Sequence, residues 1–172
     1  ILGGTGYLGP AVVEAARARG HAPTLFNRGK TNPGLFTDVE QLHGDRDGKL
    51  DALRGRAWDA VIDDTGYVPR VVRQSAELLA PECGYCLFVS SISAYAGFTR
   101  PNDEHSPTGV LADLNTEEIT DTSYGPMKAL CEQYTTTAFK GRACIVRPGY
   151  IVGPLDRSDR FTYWPVRAAR GG

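Results

Sequence analysis

Apolar positions recur along the chain with two different periods. Short runs lie at 22–26 (APTLF), 39–44 (VEQLHG), 59–63 (DAVID), 85–90 (YCLFVS) and 143–147 (ACIVR); they have strand length and are bounded by polar or turn-forming residues. In other stretches the apolar residues return every three or four positions, which lines them along one face of a helix. Leu8, Val12, Val13 and Ala16 do so in 7–19; Val71, Val72, Leu78 and Leu79 in 68–80; Met127, Leu130, Cys131, Tyr134 and Ala138 in 123–139. A weaker helical pattern covers 48–54. Strands alternating with helices predict parallel pairing through right-handed crossovers. The expected fold is therefore α/β, a doubly wound parallel sheet inside a three-layer αβα sandwich, with ligands at the carboxyl edge of the strands.

Residues 98–121 (FTRPNDEHSPTGVLADLNTEEITD) break the rhythm. A loop of that length without elements of its own is usually functional or disordered. Two readings stay open: a solvated surface excursion, or a flap over a site.

Composition narrows the class. The chain has 172 residues, 41% hydrophobic and 23% charged, with a formal net charge of −1, which suits one globular domain with a sizeable core. No apolar run approaches the roughly 20 residues of a membrane span, and the first residues lack the pattern of a secretory signal, so a cytoplasmic location is expected. Cys83 and Cys86 match C-x-x-C, but no second pair completes a metal site and Cys86 opens an apolar run, so a buried thiol is the preferred reading. His21, His43 and His105 show no ligand spacing, and no metal is expected. The chain begins ILGGTG without an initiating methionine, leaving two residues of a first strand, and stops at AARGG after a helix-like pattern. A fragment cut at both ends is the expectation.

The candidate chemistry starts at GGTGYLG, between the strand remnant and the first helix. Gly4, Gly6 and Gly9 satisfy G-x-G-x-x-G, and Gly3, Gly6 and Gly9 satisfy G-x-x-G-x-x-G. Glycines there permit a tight turn, backbone approach to a pyrophosphate and close helix–strand packing, while the helix start offers free N–H groups. The alternative is a glycine-rich turn with no ligand. Where an NAD site would carry an acid about 20 residues on, the chain has LFNRGK. Asn27 and Arg28 offer donors and positive charge suited to a 2′-phosphate, so NADP is the expected cofactor, with NAD as the alternative if Arg28 stacks on adenine or turns to solvent.

SYGPMKALCEQY (123–134) puts Tyr124 and Lys128 four residues apart. With Ser123 as the cap and Pro126 in the first turn, the two share a helix face. An ammonium about 4 Å from a phenol supplies enough interaction to tune an acid/base; core packing of Tyr124 is the competing explanation. FVSSISAYAG (88–97) runs from a strand into hydroxyls at its carboxyl end, where a serine can donate to a substrate oxygen. For Ser93, turn formation is preferred.

Taken in order, the glycine turn, SSISAY, YGPMK and RPGYIVGP resemble the extended short-chain dehydrogenase/reductase superfamily, in its NAD(P)-dependent epimerase/dehydratase branch. The resemblance spans nearly the whole chain and implies a Rossmann fold. It implies that Tyr124 is the catalytic acid/base, that Lys128 tunes it and binds the nicotinamide ribose, and that Ser91, four before Tyr95, polarises the substrate. It places Gly3, Thr5, Gly6, Tyr7, Leu8 and Gly9 on the pyrophosphate loop, Asp45 at adenine, Thr65 and Gly66 along the cofactor, and Pro148 beside the nicotinamide. RPGY carries Tyr150 where nucleotide-sugar members have a substrate-holding asparagine, so a nucleotide-sugar substrate is not expected. The C-terminal substrate domain of such families lies outside this sequence.

Two functions follow. One is an NAD(P)-dependent oxidoreductase or epimerase/dehydratase with a small-molecule substrate, a second copy of the chain being an optional partner. The other is a non-catalytic NAD(P)-binding relative acting as an RNA-binding or redox-sensing regulator. The Ser-Tyr-Lys set and a pI near 6.3 without a basic stripe favour the enzyme over nucleic-acid binding.

Overall fold

The structure is a computed structural model and describes residues 1–156, 158 and 161–171. Five strands are formed: β1 (Leu25–Asn27), β2 (Gln41–His43), β3 (Trp58–Asp63), β4 (Cys83–Val89) and β5 (Ala143–Val146). β1 pairs with β2, β3 with β4 and β4 with β5, all in parallel. The gap between β1 and β3 is filled by the first residues of the chain. Leu2 bridges Phe26 on one side and Asp63 on the other, both parallel, through bonds from Leu2 N to Ile62 O (2.8 Å) and from Gly3 N to Phe26 O (2.9 Å). The order across the sheet is β2, β1, Leu2, β3, β4, β5, and the chain reverses its direction of travel between Leu2 and β3. With right-handed crossovers this reversal places the helices before and after it on opposite faces, and it is the switch point where α/β sheets bind ligands.

Helices α1 (Gly9–Ala18), α2 (Pro69–Leu79) and α3 (Tyr124–Phe139) match the expected stretches, and α4 (Tyr163–Arg170) follows near the end. The 48–54 pattern shrinks to a 3₁₀ turn, Asp51–Leu53. Pro10 and Pro69 sit in the first turns of α1 and α2, where a missing N–H leaves no bond unmade. Ser123 departs from expectation: it makes no side-chain cap to α3, and its hydroxyl instead donates to Glu118 O (2.6 Å). One apolar cluster, built around Leu2, Phe26, Val61, Leu79, Cys86 and Phe139, packs beneath the sheet centre. A smaller one of Val72, Phe88 and Cys131 joins α2 and α3 to β4. All four cysteines are free, and Cys83, Cys86 and Cys131 are buried. Burial pushes the Cys86 thiol up to about 12.

Segment 98–121 contains no helix or strand. It is pinned at its base, where Ala96 N donates to Pro107 O (2.9 Å) and Gly109 N to Ala94 O (2.8 Å), and at Glu117, which Arg70 ties to Asp47. Val110 at 83% exposure and Leu114 at 60% face solvent. No described helix is long and apolar enough to cross a membrane.

Candidate active site

The glycine turn opens at the switch point. Gly9 packs so closely on the start of the turn that a Cβ there would lie 2.6 Å from the Gly4 backbone, whereas a Cβ on Gly6 would meet nothing within 4 Å. The first position is closed by the protein and the second is open towards the cleft, as a turn that admits a phosphate backbone-first requires. Thr5 is buried, and its carbonyl accepts from Asn32 Nδ2 (2.9 Å), so the loop after β1 folds back over the turn. The sequence contained no signal for that contact. Nor did it single out Asp64, whose carboxylate lies under the turn: Oδ1 would sit 2.1 Å from a Cβ on Gly3, and Oδ2 2.9 Å from one on Gly9. It accepts the Gly4 N–H, and burial, with Asp63 beside it, pushes its carboxyl up to about 7.

At the ends of β1 to β3 the side chains largely hold one another. Asn27 Oδ1 accepts from Gly29 N (2.8 Å) and its amide donates to Gln41 Oε1 (3.3 Å), which shapes the turn that presents the exposed Arg28. Asp45 Oδ1 accepts from Asp47 N (3.1 Å). The guanidinium of Arg46 makes two 2.7 Å bonds to Asp63 and one of 2.7 Å to Ser75 Oγ, and also reaches Thr65 Oγ1 at 3.3 Å. Thr65 Oγ1 in turn donates to Leu2 O (3.2 Å). Arg46 lies in GDRD next to Asp45, and the Asp63-Asp64 pair at the end of an apolar strand was the available clue to its partner.

On the other side of the turn, α3 meets the hydroxyl segment after β4. Gly125 makes this possible, since a Cβ there would lie 2.1 Å from the Ser93 carbonyl oxygen. Tyr124 and Ser91 both border one cleft. Ser91 starts a 3₁₀ turn (Ile92–Ala94), its Oγ accepting from Ser93 N (3.1 Å), so its own hydroxyl proton stays available to donate. Lys128 is 2% exposed. Its ammonium donates to Gly66 O (2.6 Å) and Val89 O (2.7 Å) and lies 4.4 Å from the Phe88 ring centre and 5.2 Å from that of Tyr67. Burial lowers its pKa. Two of its three N–H donors are thus placed on backbone carbonyls. The Tyr67 ring stands 6.5 Å from that of Tyr124. Sequence reading also passed over Ser90 and Glu132: Ser90 Oγ donates to Glu132 Oε1, and Arg147 donates to both carboxylate oxygens of Glu132 (2.9 and 2.6 Å).

These walls border an open cleft of about 1380 Å³, larger than the usual small-molecule pocket of about 300–1,000 Å³. Of the expected residues, Gly6, Tyr7, Ser91, Tyr124 and Pro148 line it. Gly3, Thr5, Leu8 and Gly9 frame the turn behind Gly6, and Lys128 lies beneath the floor. Asn27, Arg28, Asp45, Thr65 and Gly66 lie along the strand ends and are not among its described lining. Tyr67, Ser90 and Tyr150 join the lining, as do Phe98 and the loop residues Asn32 and Phe36. Segment 98–121 thus contributes Phe98 to the cleft while its tip faces solvent.

No family model and no curated protein matches the sequence. Solved structures do match the fold. UDP-glucuronic acid 4-epimerase from Bacillus cereus in complex with NAD shares 15% identity at a TM-score of 0.67, over 92% of this chain and 58% of that one. MoeE5 in complex with UDP-glucose and NAD shares 18% at 0.64, over 97% and 59%. The human epimerase family protein SDR39U1 with NADPH shares 22% at 0.61, over 99% and 60%. The chain shares the fold of these structures. The chain spans less than two thirds of each of these proteins.

Proposed function

We propose that this chain is the dinucleotide-binding part of an NAD(P)-dependent oxidoreductase or epimerase/dehydratase acting on a small molecule. The observation that carries the reading is the single cleft that gathers the open Gly6 of the glycine turn, Ser91, Tyr124 and Pro148. The geometry fits a dinucleotide: Gly6 leaves room for a pyrophosphate at the start of α1, and Lys128 is the residue we assign to a ribose hydroxyl. When bound, the nicotinamide supplies the hydride donor or acceptor. Tyr124 is the group that holds or moves a proton at the substrate oxygen, and Ser91 donates to the same oxygen. Lys128, fixed by two carbonyls and two aromatic rings, supplies positive charge one turn along α3 from the phenol. Arg28 at the end of β1 favours NADP, in line with the NADPH bound to SDR39U1. Tyr150 lines the cleft at 81% exposure, which suits an aromatic contact to a substrate.

The test is turnover of Tyr124→Phe in the full-length protein over a panel of carbonyl and alcohol substrates, followed by reduced-nicotinamide absorbance for net redox and by product chromatography for redox-neutral conversion, with cofactor affinity measured alongside. Turnover should fall by about 10²- to 10⁴-fold with affinity unchanged. Wild-type turnover in Tyr124→Phe would overturn the assignment. Cofactor binding without turnover on any substrate would favour a non-catalytic regulator.

A further inference from the structure

The glycine turn carries a feature that the proposed reading does not use. Asp64 follows β3, and its carboxylate occupies the space behind Gly3 and Gly9 and accepts the Gly4 N–H, against the turn that would receive two phosphates. Oδ1 is buried with no hydrogen-bond partner, and the other interactions are unequal to a full charge. Asp63, the adjacent carboxylate, is held by Arg46 at 2.7 Å, so that arginine is already engaged. The remaining titratable side chain that faces Asp64 is the Tyr67 phenol. A buried carboxylate oxygen with no donor is expensive as an anion and inexpensive as an acid.

We propose that Asp64 is a proton-accepting part of the phosphate subsite: as a dinucleotide pyrophosphate settles on the turn, the Asp64 carboxylate takes up one proton from solvent. This rests on the dinucleotide reading above. Two negative charges arriving at the turn make the ionised carboxylate still less favourable, and neutralising it removes the repulsion. Binding and protonation are therefore linked, each strengthening the other by the same factor. The carboxyl already lies near neutrality in the free protein, so the linkage acts around and above pH 7. Affinity for a dinucleotide falls as pH rises, with a limiting slope of about tenfold per pH unit for one proton.

The experiment is titration calorimetry of the wild-type chain with NADPH and, as a probe lacking a titratable 2′-phosphate, NADH, between pH 7 and 8.5 in HEPES and in Tris. These buffers differ in ionisation enthalpy, so their difference in binding enthalpy counts protons. Uptake rising towards one proton at the alkaline end is expected with both ligands. Asp64→Asn should abolish the uptake and flatten the pH dependence. Tight binding without proton uptake, or uptake that survives Asp64→Asn, overturns the role of Asp64 and leaves the dinucleotide reading intact. Failure of both ligands to bind overturns the dinucleotide reading and this inference with it. The wild-type measurement needs no variant, so a poorly folding Asp64→Asn does not protect the proposal.

Discussion

Arg147 donates from Nε and a terminal nitrogen to the two oxygens of the buried Glu132 at 2.9 and 2.6 Å, and this largely buried pair ties α3 to the end of β5. Ser90 adds its hydroxyl to the same carboxylate, so the strand end that delivers Ser91 is fastened to the helix that delivers Tyr124. Removing one member leaves a buried charge alone. Glu132→Ala should lose about 3–5 kcal/mol of stability, read from urea unfolding at constant slope. Glu132→Met combined with Arg147→Leu should lose much less, because neither charge is then stranded. Equal losses in the single and double variants would show that packing, not charge compensation, sets the cost.

Asp64 makes stability depend on pH with a defined sign. Its carboxyl is raised from 3.8 to about 7 in the folded protein, so its contribution is fully present below about pH 4 and is lost as pH rises to 7. The rise corresponds to about 4 kcal/mol over that window. Asp64→Asn should flatten the dependence of melting temperature on pH in that range and melt above wild type at pH 8. A variant that melts lower at pH 8 would contradict the burial argument.

Arg28 follows an Asn27 whose side chain is engaged in shaping the turn, so the 2′-phosphate preference falls to the guanidinium. Arg28→Ala should weaken NADPH binding about tenfold, near 1.4 kcal/mol, while NADH affinity stays the same. Equal losses for both ligands would place Arg28 on adenine instead.

Ser91 and Ser93 both line the cleft, yet Ser93 contributes its backbone N–H to Ser91 Oγ. In the full-length protein, Ser91→Ala should reduce kcat with cofactor affinity unchanged, and Ser93→Ala should change kcat far less. The reverse order would move the substrate-polarising role to Ser93.

Much of the fold was legible because periodicity reports burial directly. The runs at 59–63 and 85–90 became Trp58–Asp63 and Cys83–Val89, and the three long helical stretches formed within two residues of their expected starts. The face of α3 was less legible. Lys128, Glu132 and Thr135 are as buried as Met127 and Cys131, and polar residues that bury by finding partners elsewhere in the chain read as a solvent face in a local pattern. Asp64 escaped notice for the same reason: its meaning depends on Gly3 and Gly9, brought to it only by the parallel bridge at Leu2. Ser123 misled because its hydroxyl found a carbonyl in the preceding loop before it could cap the helix.

The central claim is that a dinucleotide lies against Gly6, and one substitution separates that claim from the fold. A Cβ on Gly6 meets no protein atom within 4 Å, so Gly6→Val should leave the melting temperature of the ligand-free chain unchanged while filling the space that a pyrophosphate needs. Calorimetric titration of wild type and Gly6→Val with NADPH is the direct measurement. Binding by wild type and its loss in an equally stable Gly6→Val is the expected result; equal binding by both, or none by wild type, would contradict the account.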